Sequence, residues 1–108
     1  MTTPVRDLAL SVLAAVQRLG DDAYGAAICR DLSERGGRSL AVGAVITSLH
    51  RLERKGLLRS ALSDPRPVRG GRARRCFRLT AGGRRALAAA VTERQRLWDL
   101  PISAPGAT

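Results

Sequence analysis

The spacing of apolar residues along this chain changes at Gly56, and that change limits the folds open to it. Before Gly56 they recur at steps of three and four in three successive segments, which is the spacing of a buried helical face. Beyond it, two short segments alternate between apolar and polar residues, as half-buried strands do. From Thr80 the helical spacing returns. This order predicts a mainly α fold with a small β-hairpin before the last helix, in a chain of 108 residues.

Proline, glycine and aspartate set the ends of the first two predicted helices. Pro4 is tolerated in the first turn of a helix, and Gly20 ends that helix in a left-handed conformation. One of the aspartates at 21–22 caps a second helix, which the glycine pair 36–37 ends. The faces predicted to be buried are Val5, Leu8, Ala9, Val12, Leu13, Val16 and Leu19 in the first helix and Tyr24, Ala27, Ile28 and Leu32 in the second.

The third predicted helix begins at Ser39 as its N-cap and ends at Lys55. Small residues in its first turns would let its backbone approach another molecule closely. Its apolar stripe is Val42, Val45, Ile46, Leu49 and Leu52, and its outer face is Ala41, Ala44, Thr47, Ser48, Arg51, Arg54 and Lys55.

A hairpin follows, predicted from strands over Leu57–Ser63 and Ala73–Leu79 and a loop over Asp64–Gly71. Three helices, a hairpin and a last helix are the order of the winged helix-turn-helix architecture, with a C-terminal dimerisation helix. There the helix after the turn enters the major groove of DNA and the hairpin reaches along the backbone. Residues 4–79 would form this DNA-binding domain, residues 80–100 a helix that Thr80 caps and Pro101 stops, and residues 101–108 a flexible tail.

The charge balance favours an anionic partner. Lysine and arginine number 19 against 9 acidic residues, a net charge of +10, which suits phosphate polymers or anionic membranes. No apolar run approaches the length of a membrane span. The cysteines at 29 and 76 show neither metal-ligand spacing nor a disulfide framework. We therefore expect a soluble cytoplasmic protein that binds double-stranded DNA and uses no metal or cofactor.

Arginines concentrate from the hairpin loop into the start of the last helix, where residues 64–85 hold eight of them and one acid, Asp64. Contacts with phosphate give position and affinity rather than sequence reading. Six such contacts would lower affinity about a thousandfold or more between low and physiological salt. A solvated charged loop is the alternative. The hairpin residues expected at the DNA backbone are Arg69, Gly70, Gly71, Arg72 and Arg74.

The third helix is the candidate recognition helix, with an ordinary amphipathic surface helix as the alternative. Ala44 suits a thymine methyl group, Thr47 or Ser48 a base or a phosphate, and Arg51 a guanine or a phosphate. Tyr24 either packs its ring in the core or donates its hydroxyl to a phosphate at the start of the second helix. The DNA contacts expected from this half of the chain are Tyr24, Ser39, Ala41, Ala44, Thr47, Ser48 and Arg51.

The last helix carries more apolar surface than so small a domain can cover. Pairing with a second copy, normally two-fold, would bury it, and packing onto the first helix of the same chain is the alternative, although both can hold. The residues expected in a homodimer interface are Leu8, Val12, Leu87, Val91, Leu97 and Trp98.

Three segments resemble the PadR-like transcriptional regulators: AYGAAI at 23–28, SLAVGAVITSLHRLERKGLL at 39–58 and GGRARRCFRLTAGGRRAL at 70–87. The resemblance implies a dimeric winged-helix repressor that acts on an operator near its target gene. Members often respond to small aromatic molecules, and in some of them a tryptophan on a short last helix stacks the effector. Trp98 lies about one turn later than that position. The chain also has Ala44, Ile46 and Cys76 where the family usually has threonine, tyrosine and an aromatic residue.

The expected function is therefore sequence-specific DNA binding by a homodimeric transcriptional regulator on a pseudo-palindromic operator. A non-specific DNA- or RNA-binding protein is the first alternative, although three aromatic residues offer little base stacking. A protein-binding adaptor is another. An enzyme is not expected, because the chain has no Ser/His/Asp set, metal-ligand spacing or phosphate-binding glycine loop.

Overall fold

The computed structural model of the protein describes residues 4–63 and 74–99. It confirms a mainly helical fold with one antiparallel hairpin. Several predicted features lie outside the described residues: the loop 64–71 with Arg69, Gly70 and Gly71, then Arg72, the stop at Pro101, the tail 101–108 and the side chain of Val5. The described elements are helices α1 (Pro4–Leu19), α2 (Gly25–Gly36), α3 (Val42–Arg54) and α4 (Ala81–Leu97), strands β1 (Leu58–Leu62) and β2 (Arg75–Leu79), and a 3-10 turn at Gly20–Asp22.

One apolar core joins all six elements. Val12 on α1, Ile28 on α2 and Leu49 on α3 are fully buried, and both strands contribute to the same cluster. The helical stripes predicted from spacing therefore lie in the core or against it, except at Tyr24, which is half-buried outside the cluster, and at Val42, whose side chain is 52% exposed because α3 only begins there. The buried cluster comprises Val12, Leu13, Ala15, Val16, Ala23, Ile28, Cys29, Leu32, Val45, Leu49, Leu52, Leu58, Phe77, Leu79 and Leu87.

The predicted N-caps of α2 and α3 are wrong for a tertiary reason. Residues 23–24 run extended beside β2, where Phe77 N donates to Ala23 O at 2.8 Å. Helix α2 therefore starts only at Gly25, and the aspartates at 21–22 lie in the 3-10 turn. Likewise, α3 has Ala41 at its N-cap without a side-chain bond, and Ser39 precedes the helix.

The hairpin buries one face of its second strand, as its alternation predicts. Ser60 pairs with Phe77 and Leu58 with Leu79 across the strands. Phe77 and Leu79 are buried, while Arg78 between them is exposed. Arg78 therefore stands on the solvent face of β2, whereas Arg75 lies on the same face as Phe77 at the exposed end of the strand.

A compact junction connects the hairpin to α4. Thr80 is the N-cap, as predicted: its hydroxyl accepts from Gly83 N at 2.9 Å and donates to Gly56 O at 2.6 Å. Its own N–H donates to Leu57 O at 3.1 Å. Further along α4, Leu87 is buried and Arg94 pairs with Asp7 of α1 at 2.7 Å. The start of α4 is therefore part of the core, and a domain boundary at residue 80 stays a prediction.

Helices α1 and α2 are tied by an ion pair that acid should break. Arg18 donates to Asp31, and Arg35 donates to the same carboxylate at 3.2 Å. The Arg18 guanidinium holds the pKa of Asp31 below its usual value of 3.8, with Arg35 adding to the effect and partial burial opposing it. A lowered folded-state pKa gives stability that is complete above the unfolded pKa and is lost as pH falls through the folded pKa.

Asp31→Asn is accordingly expected to lower the free energy of unfolding by about 1 kcal/mol at neutral pH. The gap to the wild type should shrink as pH falls below about 4, where the wild-type carboxylate also loses its charge. Urea unfolding of both proteins from neutral pH to below about 4 measures this difference in the free energy of unfolding. A gap that stays constant with pH would show that the charge of Asp31 does not stabilise the fold.

Candidate nucleic-acid interface

The outer face of α3 is open to solvent from its first turn. Ala41, Gly43 and Ala44 are exposed, and no side chain caps this end of the helix. Thr47 and Arg51 continue the exposed surface along the next two turns. A bare, small-residue helix start lets the backbone come close to another molecule.

The sequence-predicted residues on α3 divide into exposed and buried ones. Ala41, Ala44, Thr47 and Arg51 are exposed as expected, and Ser39 is exposed in the turn before the helix. Ser48 is only 6% exposed, so its expected position on the outer face is wrong, while its DNA contact stays a prediction. It lies three residues after Val45 and four before Leu52, and both are buried, so the helix turns it toward the core.

Sequence reasoning left His50 off the exposed face and named Arg54 there without a DNA contact. His50 and Arg54 lie three and seven residues after Thr47, on the same side of α3. Within the described ranges 4–63 and 74–99, neither Arg51 nor Arg54 is in an ion pair. Placing every residue on a helical projection centred on Val45 and Leu49 would have put His50 on this face as well. Ile46 is half-buried and lies against Gly25, which turns it toward α2.

The arginines of β2 have different surroundings. Arg75 donates to Ser60 Oγ at 2.9 Å, and that hydroxyl donates to Glu53 Oε2 on α3 at 2.7 Å. This relay joins both strands to the last turn of α3. Arg78 pairs with Asp21 in the 3-10 turn. These two side chains fasten the hairpin to the body of the domain.

Arg74 and Tyr24, both predicted as DNA contacts, lie together. The guanidinium carbon of Arg74 is 4.2 Å from the centroid of the Tyr24 ring, and Tyr24 is half-buried at the N-cap of α2. Tyr24 is therefore not a simple core residue. The two predicted contacts, fifty positions apart in the chain, form one cluster of an exposed arginine on a half-buried tyrosine.

The predicted dimer residues also fall into two groups. Val12 is fully buried and Leu87 is 8% exposed, so both pack in the core of one protomer, and their role in a homodimer interface stays a prediction. Leu8 is partly buried. Val91, Leu97 and Trp98 are 45%, 75% and 70% exposed, and they remain candidates.

Shallow cavities flank the exposed side of α1. One, of about 240 Å³, lies between α1 and α4 and is lined by Leu10, Ala14 and Val91, among others. A larger one, of about 700 Å³, lies between α1 and α2, with apolar lining from Leu8, Ala14, Leu32 and Leu40. Trp98, the predicted effector residue, lines neither of them. In the part of the chain that the structure describes, no cluster of three or more His, Cys, Asp or Glu residues could hold a metal ion, and no helix could cross a membrane.

Comparison with known proteins identifies the family. The family model described as Transcriptional regulator PadR-like family matches residues 12–89. Transcriptional regulator Rv3488 of Mycobacterium tuberculosis is 43% identical over 67 residues, which cover 62% of this chain and 58% of that protein. The match therefore spans less than two thirds of that regulator's length.

Solved structures agree with this assignment. A PadR family transcriptional regulator from Eggerthella lenta superposes with a TM-score of 0.65 at 27% identity, covering 82% of this chain and 74% of that one. A PadR family transcription regulator from Clostridium difficile has a TM-score of 0.63 at 28% identity, covering 82% of this chain and 88% of that one. The chain thus has the winged-helix fold of these regulators, and it belongs to the PadR-like family of transcriptional regulators.

Proposed function

We propose that the protein is a sequence-specific DNA-binding repressor that acts as a homodimer on a pseudo-palindromic operator. The observation that carries the proposal is the exposed face of α3, which combines a small-residue first turn with Arg51 and Arg54. A surface of this kind fits the major groove, where methyl-sized side chains meet thymine and arginine meets guanine or phosphate.

The hairpin supplies affinity in this proposal. The hydrogen bonds from Arg75 to Ser60 and from Ser60 to Glu53 fix the hairpin relative to α3, so that both approach DNA as one unit. Because Arg75 and Arg78 are used in holding the hairpin, the phosphate contacts fall to Arg74 and to the predicted contacts Arg69 and Arg72. Such contacts position the protein without reading sequence.

The homodimer part of the proposal is supported by the apolar end of α4. Val91 and Trp98 are large and exposed, and they lie seven residues apart, or about two turns, on one side of α4, with the exposed Leu97 adjacent to Trp98. A two-fold pairing would bury this strip on both protomers at once. Release by a small aromatic effector is the further part of the proposal, with Trp98 as the residue that would contact it.

A hydroxyl-radical footprint on a selected duplex tests this function. We expect two protected half-sites related by two-fold symmetry, with centres about 34–36 Å apart. Trp98→Asp should dissociate the dimer in sedimentation and weaken both half-sites together. Thr92→Asp, on the other side of α4, is the matched control and should do neither.

Other footprints would contradict parts of the proposal. A single asymmetric protection would contradict the dimeric mode. Uniform protection along any duplex would favour a non-specific binder. A further experiment tests the effector. A flat aromatic dye at micromolar concentration should quench Trp98 fluorescence and abolish the protection of the DNA. If neither effect occurs, the effector is removed from the proposal.

A further inference from the structure

Backbone pairing brings Tyr24 to the beginning of the second hairpin strand. Phe77 N donates to Ala23 O, and Tyr24 forms an isolated antiparallel bridge with Cys76. The short segment 23–24 therefore lies beside β2 as a third, strand-like edge. Tyr24 therefore lies beside Arg74, which stands two residues before Cys76, where the chain enters β2.

The backbone of Arg74 is fixed at that point. Arg74 N donates to Ser63 Oγ at 3.1 Å, and Ser63 N donates to Arg74 O at 2.7 Å, which extends the hairpin by one more rung. With its backbone held, the side chain lies over the Tyr24 ring at 4.2 Å, well inside the range of a cation–π contact. The contact between the two side chains thus depends on two separate sets of hydrogen bonds: one holds segment 23–24 beside β2, and the other holds the backbone of Arg74 beside Ser63.

Stacking and phosphate binding use different parts of a guanidinium. The flat face of the group meets the aromatic ring, while its five N–H donors point outward in the plane of the fork. An arginine that lies on an aromatic ring can therefore still bind phosphate oxygens through its edge. Among the described residues, Arg74 donates no side-chain hydrogen bond, unlike Arg75 and Arg78.

We infer that Tyr24 is a positioning residue for DNA binding: its ring, and not its hydroxyl, holds Arg74 ready for a phosphate contact. The inference rests on the proposed function. An unrestrained arginine gives up much rotamer freedom when it binds. The ring removes part of that freedom before DNA arrives, and such preorganisation raises affinity.

Four variants test this inference: Tyr24→Phe, Tyr24→Leu, Arg74→Ala and the double variant Tyr24→Leu/Arg74→Ala. Tyr24→Phe keeps the ring and should bind the operator within about twofold of wild type, whereas Tyr24→Leu should lose about fivefold. Arg74→Ala should lose more affinity than Tyr24→Leu. The slope of log affinity against log salt concentration should also fall in magnitude by about one, as expected for one lost phosphate contact. The double variant should bind no more weakly than Arg74→Ala alone.

A second measurement needs no DNA. Ring current from Tyr24 should shift the side-chain methylene protons of Arg74 upfield in NMR spectra of the wild type and of Tyr24→Phe, but not of Tyr24→Leu. Should Tyr24→Leu fail to fold, Arg74→Lys replaces it. That variant keeps the charge but loses the planar fork, so its operator affinity should fall about fivefold with an unchanged salt slope.

The outcomes separate the inference from the function on which it rests. Equal losses for Tyr24→Phe and Tyr24→Leu would assign the effect to the hydroxyl and overturn the inference. A Tyr24→Leu loss that persists in the Arg74→Ala background would show that the ring acts elsewhere, and it would also overturn it. A wild type that binds no duplex overturns the proposed function and the inference together.

Discussion

Gly83→Ala is expected to lower the free energy of unfolding by about 3 kcal/mol, the upper part of the usual cost of overpacking. Gly83 is buried in the first turn of α4, and a Cβ there would overlap the carbonyl oxygen of Leu57 and lie 3.0 Å from its carbonyl carbon. That carbonyl cannot move away easily, because it accepts the hydrogen bond from Thr80 N. In a domain of this size the melting temperature should fall by about 12–24 °C.

Gly82→Ala is the matched control for this prediction. It makes the same chemical change one residue earlier in the same helical turn, where the nearest atom to a new Cβ would be 3.7 Å away. Alanine is favoured over glycine in a helix by up to about 1 kcal/mol, so stability should be unchanged or slightly higher. Thermal unfolding followed by circular dichroism compares the two. Equal melting of Gly83→Ala and wild type would show that the junction between Leu57 and α4 is looser than described.

Ala44→Glu is expected to weaken operator binding at least about a hundredfold, or about 2.8 kcal/mol. Ala44 is exposed in the first turn of α3, where the proposed function places the base edges. A carboxylate there would face phosphates and base acceptors, and like charges across an interface cost several kcal/mol. Folding should be preserved, because an acidic side chain suits a helix N-terminus.

The control is Ala89→Glu, at an exposed position two residues from Leu87 and so on the solvent side of α4. It changes the net charge equally, so any general electrostatic effect on DNA association appears in both variants. We expect a loss of less than about threefold. Fluorescence anisotropy at one salt concentration measures both affinities. If the two variants bind alike, α3 is not the helix that enters the groove.

The parts of the fold that sequence could predict are those that depend on local spacing. The apolar stripes of α1 and α3 report burial, so the helices and the inner side of the hairpin follow from them. Thr80 as an N-cap also follows, because its side chain bonds a residue three positions away. Local rules cover such contacts.

The errors share a different cause, which is contact between distant segments. Ser39 looked like a cap, yet its neighbour Leu40 N bonds to Ser33 Oγ, and the helix begins later. The apolar faces of α1 and α4 include Val12 and Leu87, and spacing alone cannot say whether the same protomer or a second copy covers them. The core of one protomer covers both.

The candidate site shows the same limit. Polar character placed Ser48 outside, although its position between Val45 and Leu52 turns it inward. The stacking of Arg74 on Tyr24 joins residues fifty positions apart, and it depends on the pairing of segment 23–24 with β2. Sequence analysis named both residues as DNA contacts but could not place them together.

Sequence-specific DNA recognition by α3 is tested most directly by selection of duplexes by this chain from a random pool at physiological salt. We expect a consensus that forms an inverted repeat, with half-site centres about one helical turn apart. Random duplex should compete with that consensus at least about a thousandfold less well. A pool that stays random through successive rounds, with every duplex competing equally, would contradict sequence-specific recognition by α3.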